Sequence, residues 1–344
     1  MKWTHDDFFR EQSKGMPPLI QADLTGKTII ITGANVGLGL EAAKHFATMN
    51  PERLIVACRN EIKGGEAARG KNASNFNRVE VWTMDQGNFS TVKAFADRAE
   101  KELDRIDYLV LNAAVATYQY NATVDGWETQ VQVNHLAPTL LALLLLPKMF
   151  DTAKRYGTSP RLVSVSTNAH YTVTIDKEVL DAPSSLKMYS SEQYSTPKVM
   201  ENRYQSSKLV NLVSLRSLHY RLPQTSPTIT IVAVSPGFCA TSLTRHVPNQ
   251  ATDYWKKMKE VAFTAEEGSR PILYGAFKYA GTEEEERKIR GGYLFKSELM
   301  EVSDWVLSEE GKKAEDKFWA ETIEILGKVD DRVRKVVSEC LVTD

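Results

Sequence analysis

Cysteine is scarce in this 344-residue chain: Cys58, Cys239 and Cys340 are the only three, far apart and without a CxxC pair. That argues against a disulfide scaffold or zinc knuckle and fits a reducing, cytoplasmic setting. The six histidines stand singly with no HExxH, so no metal site is expected. An excess of either charge is lacking too: 43 Lys+Arg against 44 Asp+Glu leave a net charge of −1. A phosphate-backbone-binding surface is thereby excluded as the main business of the chain, and no nucleic-acid partner is expected. Long apolar runs are also missing. The longest, Leu136–Leu146, is about half a membrane span and contains Pro138 and Thr139, so it reads as a buried helix and no membrane span is expected. The first residues are polar and acidic, unlike a secretory leader. With no repeat, low-complexity tract or Pro/Gly/Ser linker, residues 1–344 read as one domain, 42% hydrophobic, with an N-terminal extension at 1–23.

What is present is an alternation of short Val/Ile/Leu runs with longer helical patterns. The runs are Lys27–Thr32, Arg53–Cys58, Val79–Thr83, Ile106–Leu111, Arg161–Ser166 and Ile229–Val234, with a short seventh at Tyr293–Phe295. Helices are predicted at about 38–49, 61–71, 90–103, 126–150, 203–222, 265–280 and 308–327. This pattern predicts an α/β, doubly wound Rossmann fold: a parallel sheet of about seven strands with helices on both faces. Two long excursions, 168–203 and 241–263, leave the C-terminal ends of the fifth and sixth strands, where open α/β sheets bind ligands. They read either as surface decoration or as walls of a substrate pocket.

The first strand runs into Thr32-Gly33-Ala34-Asn35-Val36-Gly37-Leu38-Gly39 and then a helix. Glycines there allow a tight turn and let backbone N–H groups approach a pyrophosphate. Chance alone would give roughly 0.004 matches to TGxxxGxG in a chain of this composition. The second strand ends Ala57-Cys58-Arg59-Asn60, with no acid to read a ribose 2′-hydroxyl. The Arg59 fork, assisted by Lys63, suits a 2′-phosphate, which predicts NADP(H) over NAD(H).

A Tyr-x-x-x-Lys pair puts a phenol and an ammonium on one helical face, where the ammonium can depress the phenol pKa. Three such pairs occur: Tyr194/Lys198, Tyr204/Lys208 and Tyr274/Lys278. Pro197 interrupts the first, and the third lies in a core-like helix beyond the sixth strand. Tyr204/Lys208 opens a strongly periodic helix directly before that strand, and its small Ser206 and Ser207 would allow close approach to a cofactor. Context selects this pair.

Further residues stand in a telling order: Asp85, Asn112-Ala113-Ala114, Asn134 in VNHLAP, VSVST at 163–167, YQSSK at 204–208, and Pro236-Gly237 with Thr241. Together with the glycine loop and ACRN at 57–60, they make the chain resemble the short-chain dehydrogenase/reductase family over about residues 24–300. Within it, the retinol-dehydrogenase-like carbonyl reductases, many of them fungal, are the most similar. The resemblance implies hydride transfer between a nicotinamide and a carbonyl or alcohol carbon. Tyr204 would be the acid/base, and Lys208 would hold the nicotinamide ribose. Asn134 would hold a water linking the lysine to solvent, and Asp85 would contact adenine. Asn112, Ala113 and Ala114 would line the cofactor path; Pro236, Gly237 and Thr241 would hold the nicotinamide amide. The family's usual catalytic serine aligns with Thr167, and Ser166 is the alternative donor. A lipophilic small molecule, such as a terpenoid or other secondary metabolite, is the expected substrate. The resemblance also implies a homodimer through the helices at 126–150 and 203–222, with a monomer as the alternative. Two competing readings are a non-catalytic NADP(H)-binding regulator and an interaction protein docking through Glu309–Val329.

Overall fold

The computed structural model describes residues 1–59, 78–224, 228–246, 248 and 252–342. The helix expected at 61–71, and Lys63 with it, lie outside the described residues. The predicted strands form one sheet: β1 Thr28–Thr32, β2 Arg53–Cys58, β3 Val79–Thr83, β4 Tyr108–Leu111, β5 Arg161–Val165, β6 Thr230–Ser235 and β7 Tyr293–Phe295. All seven run parallel in the order β3-β2-β1-β4-β5-β6-β7. An eighth strand absent from the sequence reading, β8 Glu298–Met300, closes the edge antiparallel to β7. At three residues with no β-branched side chain, it left no pattern to read.

Side chains alternate across this sheet, as a doubly covered sheet requires. Ile30, Ile55, Leu109, Leu162 and Ile231 face one core layer; Ile29, Ile31, Leu54, Val56, Val110, Val163 and Val232 face the other. The second layer is roofed by α2 (Gly37–Thr48) and α6 (Ala265–Phe277), packed on each other. Over the first lie α3 (Phe89–Glu102), α4 (Ala137–Tyr156) and α5 (Arg203–Arg221). The chain opens with a helix that the sequence reading left unassigned, α1 (His5–Ser13). It ends with α7 (Glu309–Val329) and α8 (Arg332–Cys340).

The run Leu136–Leu146 is fully helical and buried throughout. A helix apolar on all sides must be covered on all sides. The sheet covers one side of α4, and α3 and α8 pack on it as well. By length and composition Thr129–Tyr156 could cross a membrane, but 78% of its most apolar window is buried inside the protein. In the same way α7 lies along α5, with Phe318 and Leu326 fully buried and the Thr322 hydroxyl 2.9 Å from His135 Nε2.

The strand order reverses between β1 and β4, and this switch point opens a crevice at the C-terminal sheet edge. The glycine loop leaves β1 and Asn112 leaves β4, so both flank it.

Candidate active site

The glycine loop is shaped for close approach. Gly33 has φ +68°, and a Cβ there would lie 2.8 Å from Ala113 Cα. At Gly39 a Cβ would fall on Asn112 Nδ2. Asn112 is the brace: Nδ2 donates to Thr32 O (2.9 Å) and Gly33 O (3.2 Å), while the Asn112 and Ala113 N–H groups donate to Thr32 Oγ1. Val36, at the N-cap of α2, has no side-chain oxygen to cap with, so among the described residues no side chain caps the first N–H groups of the helix. Such an end, with glycines around it, accommodates an anion.

Arg59 stands exposed directly after β2, without an ion-pair partner among the described residues. The Ala57 carbonyl two residues earlier accepts from Gly33 N (2.7 Å), so Arg59 leaves the sheet beside the glycine loop. Asp85 follows β3 and is half-buried; its Oδ1 accepts from Gly87 N (2.9 Å) in a local turn.

Across the crevice, Thr241 faces the loop: a Cβ on Gly37 would sit 3.6 Å from Thr241 Cβ. Between them is a cavity of about 460 Å³, whose walls include Val36, Gly37, Phe238, Thr241, Trp255 and Lys259. Trp255 is thus a cavity wall, with its ring centroid 5.9 Å from that of Phe238. Among the described residues, the second excursion lines this cavity and the first does not.

The first excursion has another job. Val179, Leu186 and Tyr189 bury it against the core. Arg203, fully buried just before Tyr204, ties it down. The guanidinium donates to Tyr189 O (2.7 Å) and Ser195 Oγ (2.9 Å), stacks 4.0 Å from the Tyr189 ring centroid and lies 4.0 Å from Glu128. Tyr194, the first decoy tyrosine, packs on the same guanidinium and donates to Asp176 (2.6 Å). Pro197 starts a separate five-residue helix, so Tyr194 and Lys198 share no continuous helix. In the third pair, Tyr274 donates to Pro18 O and Lys278 to Ser297 O.

Tyr204 and Lys208 lie on the first turns of α5. Lys208 Nζ is buried and donates to Val165 O (2.6 Å), two residues before Thr167. Asn134 sits in a π turn, Gln132–Leu136, that leads into α4. Its amide is paired with both backbone groups of Val115 and donates to Ser207 Oγ, each at 2.9 Å. These bonds join the ends of β4 and β5 to α5. Ser206 bonds the Tyr189 hydroxyl (2.6 Å), so the two serines serve helix packing rather than leaving open space for a cofactor.

Thr167 is half-buried at the end of β5, and its Oγ1 accepts from Ala169 N (3.1 Å). The hydroxyl proton remains free to be donated. Ser166 is buried, with Oγ unpartnered among the described residues. His170, unremarked in the sequence, donates from Nδ1 to Thr167 O (2.7 Å), and burial pushes it down to about 4, so it is neutral. Burial, followed by the nearby Cys239, holds the Tyr204 phenol well above its usual value. Burial alone pushes Lys208 down to about 8. Here burial outweighs any lowering of the phenol by the Lys208 ammonium. At neutral pH the pair can offer a protonated phenol and an ammonium.

Comparison with known proteins decides the family. A model described as short chain dehydrogenase matches residues 27–174. A short chain dehydrogenase of Alternaria solani is 39% identical over 277 residues, 79% of this chain and 93% of its own length. A short chain dehydrogenase/reductase of Cryptosporiopsis is 32% identical over 316 residues, 91% of this chain and 94% of its own. The chain belongs to the short-chain dehydrogenase/reductase family. Among solved structures, an uncharacterized protein from Mycobacterium paratuberculosis superposes with a TM-score of 0.63 at 26% identity, covering 95% of this chain and 98% of the other. Salutaridine reductase from Papaver somniferum shares the fold, with a TM-score of 0.57 at 20% identity over 78% of this chain and 99% of its own.

A short-chain dehydrogenase/reductase is an oxidoreductase that uses a nicotinamide cofactor, NAD or NADP, and the cradle of Gly33, Gly37, Gly39 and the uncapped start of α2 fits its pyrophosphate. Two residues near this oxidoreductase's cavity escaped sequence reading. Lys259 was hidden in an excursion without motif. Gln12 reaches the loop after β6 from α1, 226 residues away in sequence. Only the Thr4-x-x-Asp7 capping box announces that helix in advance.

Proposed function

We propose that this family member is an NADPH-dependent reductase of ketones or aldehydes on lipophilic small molecules, running the alcohol oxidation in reverse. The observation that carries this reading is the bonded cluster of Lys208, Val165, Asn134 and Ser207, which sets Tyr204 and Thr167 at the C-terminal sheet edge. When bound, the nicotinamide supplies or accepts a hydride at its C4 carbon. A carbonyl accepting hydride develops alkoxide charge and needs a donor and a proton. Thr167 donates a hydrogen bond to that oxygen; its partly exposed position favours it over the buried Ser166. Tyr204 delivers the proton, Lys208 holds the ribose, and Asn134 fixes the turn beside them.

Arg59, where a 2′-hydroxyl reader would need an acid, supports NADP(H). Phe238 and Trp255 support an apolar substrate, with a terpenoid or other secondary metabolite as the class. The widely spaced cysteines support a cytoplasmic setting. Because α7 and α8 overlie α5 and α4, a homodimer built on those two helices would have to displace them, so we favour a monomer.

The test is NADPH consumption against a panel of fused-ring and long-chain ketones beside small polar ones. The lipophilic members should give kcat/KM about 100-fold higher. Absence of turnover with every ketone, and with the matching alcohols and NADP+, would favour the non-catalytic regulator.

A further inference from the structure

We propose that Gln12 is a positioning residue for the nicotinamide end of the cofactor site, with α1 acting as a strap across the loop after β6. The inference rests on the reading of Pro236, Gly237 and Thr241 as the nicotinamide-holding segment. Gln12 is 2% exposed although it belongs to the N-terminal extension. Its Nε2 donates to Phe238 O (2.7 Å) and Val261 O (2.9 Å), and its Oε1 accepts from Phe238 N (3.1 Å). The side chain therefore pairs both backbone groups of Phe238, as a neighbouring strand would, and also holds the returning end of the second excursion.

The segment is paired a second time: Phe263 N also donates to Phe238 O (3.0 Å) and Ala240 N to Phe263 O (2.8 Å), so Gln12 and Phe263 share the Phe238 carbonyl. The loop is thus held by two partners, one of them a single glutamine. Gly237 makes room for it. With φ +74°, Gly237 adopts a conformation other residues avoid, and a Cβ there would lie 2.7 Å from Gln12 Oε1.

The strap is itself fastened at its C-terminal end. Lys296 Nζ donates to the carbonyls of Glu11, Lys14 and Gly15, and it lies 4.8 Å from the centroid of the Phe263 ring. Both attachments of α1 thus converge on Phe238 and Phe263, beside the cavity wall.

Gln12 acts at one end of the site only. From β2, which Arg59 directly follows, to β6 there are four strand spacings, about 19 Å. A ligand confined to the adenosine end does not reach the strapped loop, whereas the complete cofactor does. The experiment uses the full-length protein and compares wild type with Gln12→Met, which keeps length and packing but loses all three bonds, and Gln12→Ala. Dissociation constants are measured for NADPH and for 2′,5′-ADP. Both variants should weaken NADPH about tenfold and leave 2′,5′-ADP within about twofold, with a cooperative melt retained. Unchanged NADPH binding, or equal weakening of both ligands, overturns the role of Gln12. Failure of the wild type to bind NADPH overturns the cofactor reading beneath it.

Discussion

Tyr204→Phe lowers kcat/KM for carbonyl reduction by about 10²- to 10⁴-fold, the usual contribution of a positioned acid, while NADPH binding stays within about twofold. The substitution removes one oxygen and nothing that braces the site. Among the described residues the Tyr204 hydroxyl has no hydrogen-bond partner, whereas the bonds holding α5 in place run through Arg203, Ser206, Ser207 and Lys208. Folding should therefore be preserved. Burial keeps the phenol protonated across the working range, so the wild-type enzyme enters reduction with its proton in place. Steady-state kinetics and a cofactor titration on the same preparation separate the two effects. Unchanged turnover would move the chemistry to another residue.

Lys208→Met abolishes turnover yet raises the melting temperature of the cofactor-free protein. The ammonium is buried, and its pKa falls from 10.5 to about 8. That fall corresponds to roughly 3 kcal/mol of instability at neutral pH. Losing the bond to Val165 O returns about 1 kcal/mol of it, leaving a net gain near 2 kcal/mol, or about 3 °C for a chain of this size. The sign follows from proton counting. Between about pH 8 and 10.5 the unfolded lysine binds a proton that the folded one has released, so wild-type stability rises with pH across that window. Below it the cost is fully present. The variant's advantage should thus be greatest at pH 7 and disappear by about pH 10.5, measured as paired melts. A lower melting temperature for the variant at pH 7 would contradict the buried-ammonium account. A side chain kept at a cost to stability is what a binding role for Lys208 requires.

The features legible in the sequence share one property: they are local. Each strand from β1 to β7 is a short apolar run bounded by breakers, and the glycine loop carries its own turn chemistry in eight consecutive residues. Pro197 announced in the sequence that Tyr194 and Lys198 share no continuous helix. What escaped was set by contacts across the chain. Gln12 is an unremarkable helix residue until Phe238 and Val261 are brought to it. The π turn at Asn134, Gln132–Leu136, arises inside a stretch, 126–150, that periodicity reads as ordinary helix. Ser206 and Ser207 looked like space for a ligand, and became hydrogen-bond partners once Tyr189 and Asn134 were packed against them. Helical spacing put Tyr204 and Lys208 on one face but could not foresee how far burial raises the phenol and lowers the ammonium.

The cofactor site is tested most directly by titrating the purified protein with NADPH and NADH side by side. With the Arg59 guanidinium at the end of β2 and no acid beside it among the described residues, NADPH should bind at least about tenfold more tightly. Equal affinity, or preference for NADH, would contradict the assignment of Arg59 to a 2′-phosphate, and binding of neither would contradict the reductase reading as a whole.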